Sequence, residues 1–244
     1  MTPDVDGLSR FYRTPLGRLA RRLIREQVSA LAGDVTGRRI LGLGYTTPYL
    51  GATLGGAERV LVFMPARQGA APWPPEAPNH TVLCDPLEMP LTDAAVDLVL
   101  IVHGLEHVVD AEELMRELWR VCAPGADLVI AVPRRRGLWA GMDNTPFGQG
   151  RPYSRSQLEK LLRDHSFTPR AWRECLYVPP FNRGAIVRSA RVFERTGRML
   201  GATFAGVMCV HARKEQVPAV TRRKRASASA PSTVFAGQTA RSRP

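Results

Sequence analysis

Cysteine is scarce in this chain and badly placed for cross-linking. Cys84, Cys122, Cys175 and Cys209 lie far apart and never form a Cys-x-x-Cys pair. That spacing argues against a disulfide framework and a thiolate zinc site, so reduced core thiols are expected and no metal. Long apolar runs are also missing. None approaches the roughly 18 residues of a membrane-spanning helix. The opening Met-Thr-Pro-Asp-Val-Asp-Gly lacks a basic region followed by an apolar one, so no secretory leader and a cytoplasmic location are expected. Aromatic residues make up only 7% and do not interleave with the cations. No stable nucleic-acid complex is therefore expected, because such platforms stack bases on aromatic rings. Acidic residues are outnumbered, 22 against 34 Lys and Arg, which gives a net charge of +12.

Apolar residues, at 44%, are ample for a substantial core. They fall into short runs that alternate with helical patterns. Ile40 and Leu41 open a first buried strand. Arg59–Met64, His80–Cys84 and Val96–Val102 follow, the last nearly continuous and rich in β-branched residues, as a strand covered on both faces should be. From Asp110, a suitable N-cap, to Val121 the chain reads as an amphipathic helix, with Leu114, Leu118 and Val121 on one face. Pro124-Gly-Ala stops it, and Asp127–Pro133 is the next strand. Ser154 caps a helix through Leu162. Arg170–Val178 reads as a strand, Ala185–Leu200 as a helix and Phe204–Ala212 as a last strand. Strands alternating with helices imply parallel pairing with right-handed crossovers, a doubly wound α/β layout.

Three ordered blocks carry a family resemblance. Cys84-Asp-Pro-Leu-Glu-Met-Pro-Leu through Val99, then Leu105-Glu-His-Val108, then Leu118-Trp-Arg-Val-Cys-Ala-Pro-Gly-Ala126 resemble the class I S-adenosylmethionine (SAM)-dependent methyltransferases. The likeness is to the small-molecule branch grouped with ubiquinone and menaquinone methyltransferases. It implies a seven-stranded Rossmann-like sheet with the last strand antiparallel. It also implies SAM as cofactor and a small-molecule methyl acceptor, whose identity the sequence does not give. Three segments are expected: a leading helix within residues 1–35 packed on the core, the domain itself over 36–214, and a disordered basic tail over 215–244.

The resemblance assigns the cofactor site to Gly42, Gly44, Tyr45 and Thr46 after the first strand, Met64 at the end of the second, Asp85, Pro86 and Leu87 after the third, and His103 after the fourth. Asp85 matches the position that meets the adenine amine, and Gly44 makes the sharp turn. Two departures stand out. Gly42 replaces the family's acid before the first glycine, and Met64 replaces the acid that holds the ribose hydroxyls. Thr46 and Pro48 stand where further glycines are usual. These departures keep an alternative open, a methyltransferase-fold protein that binds or scaffolds without catalysis. A protein partner is compatible with either reading.

Other segments offer candidates. The helix from Thr14 to Arg25, N-capped by Thr14 with Pro15 in the first position, carries a basic face, and Phe11 and Tyr12 just before it could line a cleft. The Gly- and Pro-rich stretch from Arg134 to Ser154 leaves the carboxyl end of a strand, where open α/β sheets bind ligands. It nominates Arg134, Trp139, Arg151 and Tyr153 as substrate contacts, with Phe181 and Asn182 opposite. His107 reads as a structural part of a turn, and Glu106, Asp110 and Asp97 as caps or turn anchors. Residues 215–244 set Arg222, Arg223, Lys224, Arg225, Arg241 and Arg243 against Glu215 alone. Such a run is a solvated extension or an electrostatic docking segment for RNA or an anionic membrane.

Overall fold

The computed structural model describes residues 3–181, 184–201 and 204–215. Asn182, Arg183 and the basic tail from residue 216 lie outside these. Two helices lead the chain, α1 over Val5–Arg13 and α2 over Pro15–Ala32. They are joined at Thr14, whose hydroxyl accepts from the Gly17 amide at 2.9 Å. The expected leading helix is thus present with the expected cap, and a second one stands ahead of it.

Seven strands then form one sheet: β1 Arg39–Gly44, β2 Arg59–Pro65, β3 Thr81–Cys84, β4 Val96–Val102, β5 Cys122–Pro133, β6 Phe167–Cys175 and β7 Val207–Lys214. The order is β3-β2-β1-β4-β5-β7-β6, with β1 to β5 parallel and β7 antiparallel to both its neighbours. Among the helices, α3 Thr47–Leu50 follows β1, α4 Ala111–Val121 leads into β5, and α5 Arg155–Asp164 precedes β6. The helix expected over 185–200 is broken at Ser189 into α6 Gly184–Arg188 and α7 Ala190–Leu200. Pro124-Gly-Ala does not separate α4 from β5. The strand begins at Cys122, directly after the helix, and carries Gly125 in a left-handed conformation.

Alternation along the central strands divides the core in two. Leu98, Leu100 and Val102 face α2 and α3, while Val99 and Ile101 face α4 and α5. Each face is closed by an amphipathic helix, so β4 is buried almost throughout. Asp97, at the amino end of β4, anchors the register of β1 by accepting from the Arg39 amide and from its guanidinium at 2.8 and 2.9 Å. Asp127 does the same between β5 and β7, held by Arg38 at 2.6 Å and His211 at 2.8 Å. These ion pairs sit at the opposite end of the sheet from the site described next. No described helix is long and apolar enough to cross a membrane.

Candidate active site

The carboxyl ends of β2, β3 and β4 open onto a cavity of about 280 Å³, bordered by Gln68, Asp85, Leu87, His103, Gly104 and His107, with Pro86 in the same wall. Asp85 leaves β3 in a tight turn fixed by its own side chain, which accepts from the Leu87 amide at 2.9 Å. Gln68 is almost fully buried. Its amide nitrogen donates to the His103 carbonyl at 2.9 Å, while its side-chain oxygen has no partner. Its backbone carbonyl accepts from Val5, which fastens α1 over this end of the sheet.

The loop after β1 is built differently. Gly44 has φ of 84°, and a Cβ there would come 2.6 Å from the Val102 carbonyl oxygen. Only glycine lets the ends of β1 and β4 approach so closely. A Cβ on Gly42 would overlap Thr46 Oγ1 and lie 2.7 Å from Leu50 Cδ1. The side chain of Thr46 therefore fills the space over Gly42, and no acid could stand there beside it. Gly42, Tyr45 and Thr46 are buried, and none of them borders the cavity. Met64 is wholly enclosed in the core on the α2 side and does not border it either.

An aromatic wall closes the cleft beyond Gly44. The Tyr12 hydroxyl lies 2.7 Å from the Tyr49 hydroxyl and 2.7 Å from His103 Nε2. Its ring stacks on Tyr45, and Phe147 covers His103 with ring centroids 4.8 Å apart. Burial pushes both the Tyr12 and Tyr49 phenols well up, so they are neutral donors at ordinary pH. His103 itself holds a left-handed backbone, φ 50°, uncommon for a residue with a side chain.

Beside His103 lies an enclosed carboxyl. Glu106 is buried and both its oxygens lack hydrogen-bond partners. Its Oε1 stands 3.4 Å from His103 Nδ1, an ion-pair approach rather than a formed hydrogen bond. Burial pushes this carboxyl up, but the His103 and His107 imidazoles outweigh it and hold it below the usual glutamate range. Burial lowers the His107 imidazole, against the opposing pull of Glu106. Glu106 is no cap. Gly150, also left-handed, packs against the His107 ring and leaves both its nitrogens unpartnered.

The substrate candidates come together only in part: Arg134 and Tyr153 pair through their backbones, and Arg151 and Tyr153 share a cleft. Trp139 is fully enclosed, and its indole nitrogen donates to the Val178 carbonyl at 2.9 Å. It serves the core, because a large ring with its one polar atom satisfied gains most from burial. Arg134 is paired with Glu174 at 3.0 Å and is not a free anion receptor. Arg151 and Tyr153 border a separate open cleft of about 560 Å³ with Arg135, on the far side of Val109. Phe181 is half exposed, and Asn182 lies outside the described residues. The roles of Gln68 and Tyr49 were not legible in the sequence. Gln68 sits in an unremarkable turn after β2, and Tyr49 reads only as a helix-face residue.

The fit of SAM to these residues can be tested on the donors present. The cavity offers an acidic side chain at Asp85 and an apolar face at Leu87, while the unpaired Gln68 Oε1 is itself buried. That set suits an adenosine, whose amine and hydroxyls need acceptors and whose ring needs an apolar wall. The volume is just below the ~300–1,000 Å³ of ligand pockets generally, and the aromatic wall occupies the space past Gly44.

Comparison with known proteins bears on the domain and the fold. Residues 42–130 match the family model described as a methyltransferase domain. Ajmaline N-methyltransferase from Rauvolfia serpentina is 38% identical over 88 residues, 36% of this chain and 27% of that protein. Norajmaline N-methyltransferase from the same plant is 46% identical over 54 residues, 22% of this chain and 18% of the relative. The matches thus span about a quarter or less of these relatives. A SAM-dependent methyltransferase structure from Thermotoga maritima superposes with a TM-score of 0.59 at 16% identity, covering 86% of this chain and 96% of that one. Residues 42–130 thus match a methyltransferase-domain model, and the chain shares its fold with the Thermotoga SAM-dependent methyltransferase.

Proposed function

We propose that this protein transfers a methyl group from SAM to a small-molecule acceptor. The observation that carries the reading is the cavity at the carboxyl ends of β2, β3 and β4, with Asp85 and Leu87 in its wall. Asp85 would hold the adenine amine and Leu87 the ring. Bound there, SAM supplies an electrophilic methyl on a sulfonium, whose transfer depends chiefly on in-line placement. Tyr12, Tyr45 and Phe147 would exclude water from the reacting end. Admitting the rest of the cofactor requires Tyr12 to shift, and α1 is the element that can carry it. The open cleft at Arg135, Arg151 and Tyr153 is lined by Asp110, Glu112 and Asp164 as well, so it would meet a polar acceptor of either charge.

Calorimetric titration with SAM and with S-adenosylhomocysteine tests this directly. Binding is expected, and Asp85→Ala should weaken it by about 1–3 kcal/mol, the worth of a hydrogen bond to a charged group. The second reading, a fold retained for binding without catalysis, rests on the closure of the first loop by Thr46 and the burial of Met64. It takes over if neither cofactor form binds at millimolar concentration.

A further inference from the structure

We propose that His103, Glu106 and His107 form a binding site for a divalent transition cation of the zinc type. One ligating atom from each of the three lies within 4.8 Å of the others. Every one of the candidate atoms, His103 Nδ1, both Glu106 oxygens and both His107 nitrogens, is buried without a hydrogen-bond partner. Buried polar atoms are nearly always satisfied, so an unpaired set gathered this closely calls for an occupant. A carboxylate and two neutral imidazoles are the donor set that borderline cations prefer, and calcium or magnesium would want more oxygens.

The surroundings support the assignment independently. A ligating imidazole generally fixes its free nitrogen by donating from the other ring nitrogen to a neighbour. His103 has that neighbour, because Tyr12 Oη lies 2.7 Å from Nε2 and itself has Tyr49 Oη at 2.7 Å to donate to. With the proton on Nε2, Nδ1 turns its lone pair toward Glu106. The uncommon backbone of His103 and the close seat of Gly150 against His107 hold both rings in place. His103 and His107 also border the cavity beside Asp85. Three protein ligands leave a fourth position, the arrangement of zinc sites that act on a bound molecule rather than merely brace a fold. The site would present the cation to an oxygen or nitrogen donor entering that cavity. The expectation of no metal was drawn from cysteine spacing, which says nothing of a His-Glu-His set.

Metal-stripped protein titrated with Zn²⁺, and separately with Co²⁺, tests the site without reference to activity. One equivalent is expected to bind with a dissociation constant of micromolar or below. Co²⁺ should give the visible absorption of a tetrahedral or five-coordinate centre. Glu106→Gln and His107→Gln should each weaken binding at least 10-fold. Tyr12→Phe, which leaves every ligand in place, should weaken it by about 10- to 100-fold, the usual effect of losing an outer partner. Zn²⁺ should raise the melting temperature of the wild type and not of Glu106→Gln. Absence of saturable binding to the wild-type protein at millimolar metal overturns the proposal, whatever the variants do. Binding that all three variants leave unchanged overturns it as well, since the cation then sits on another group.

Discussion

Thr46 occupying the space over Gly42 makes a quantitative prediction about the first loop. Gly42→Ala puts a methyl group into Thr46 Oγ1 and within 2.7 Å of Leu50 Cδ1. Overpacking of this kind costs about 1–3 kcal/mol. Thr46→Gly removes a buried side chain whose hydroxyl has no partner, and it should cost about 1–3 kcal/mol as an ordinary core truncation. In the double variant the new methyl at 42 enters the space that Thr46 has vacated, and only the end of Leu50 must move. The two changes should therefore be non-additive, with a coupling of about 1–2 kcal/mol in favour of the pair, inside the usual range for residues in contact. Urea denaturation of the wild type, both single variants and the double variant measures it. In thermal scans each kcal/mol corresponds to about 2–4 °C for a chain of this size. Additivity within about 0.5 kcal/mol would show that the loop relaxes around either change and that the residues are not a matched pair.

Met64→Asp should destabilise the fold by several kcal/mol and leave no cavity-facing acid, because Met64 is fully enclosed and a lone buried carboxylate is costly; a melting temperature within error of wild type refutes this. Trp139→Phe should cost about 1–3 kcal/mol in chemical denaturation through the orphaned Val178 carbonyl, and an unchanged midpoint would contradict the buried hydrogen bond at 2.9 Å. Asp127 should make stability acid-sensitive. Burial raises its pKa, but the His211 and Arg38 contacts outweigh this and lower it. Its contribution is then fully present above the unfolded value of about 3.9 and lost as pH falls through the lower folded value. Asp127→Asn should flatten the stability curve in that acid window, and an unaltered slope would remove Asp127 from the account.

The fold was legible because the strands announce themselves twice, by composition and by alternation with helices. Val96–Val102 is continuous and β-branched since both its faces are covered, and the structure gives it the same bounds. The boundaries that moved did so for local reasons. Pro124-Gly reads as a stop, yet Gly125 in a left-handed conformation turns the chain while β5 continues to pair. The site was less legible. Asp85, Leu87 and His103 border one cavity at the carboxyl edge of the sheet, although β2 and β1 stand between β3 and β4. Trp139 illustrates the limit. An aromatic in a Gly-rich loop past a strand end looks like ligand surface, but only the fold shows that its loop turns inward to Val178. Gln68 shows the converse, since nothing in Pro65-Ala-Arg-Gln68 announces a buried amide tied to the His103 carbonyl.

The departures from the family pattern carry different meanings once placed in space. Gly42 and Thr46 sit in contact, so the missing acid and the extra side chain are one change in packing rather than two losses of function. Met64 is a separate matter. It faces the α2 side of the core, beside Val62 and Leu100, and its burial sustains the sheet where an acid would need a ligand to satisfy it. Besides the Thr46 hydroxyl, buried polar atoms without partners gather at Gln68, His103, Glu106 and His107. A chain that had only decayed from an active ancestor would have little reason to keep a buried carboxylate between two imidazoles, since each unpaired group costs stability. On the proposed function a bound cofactor is to be sought beside Asp85 and His103, with Tyr12 on α1 the side chain that would have to yield to admit it.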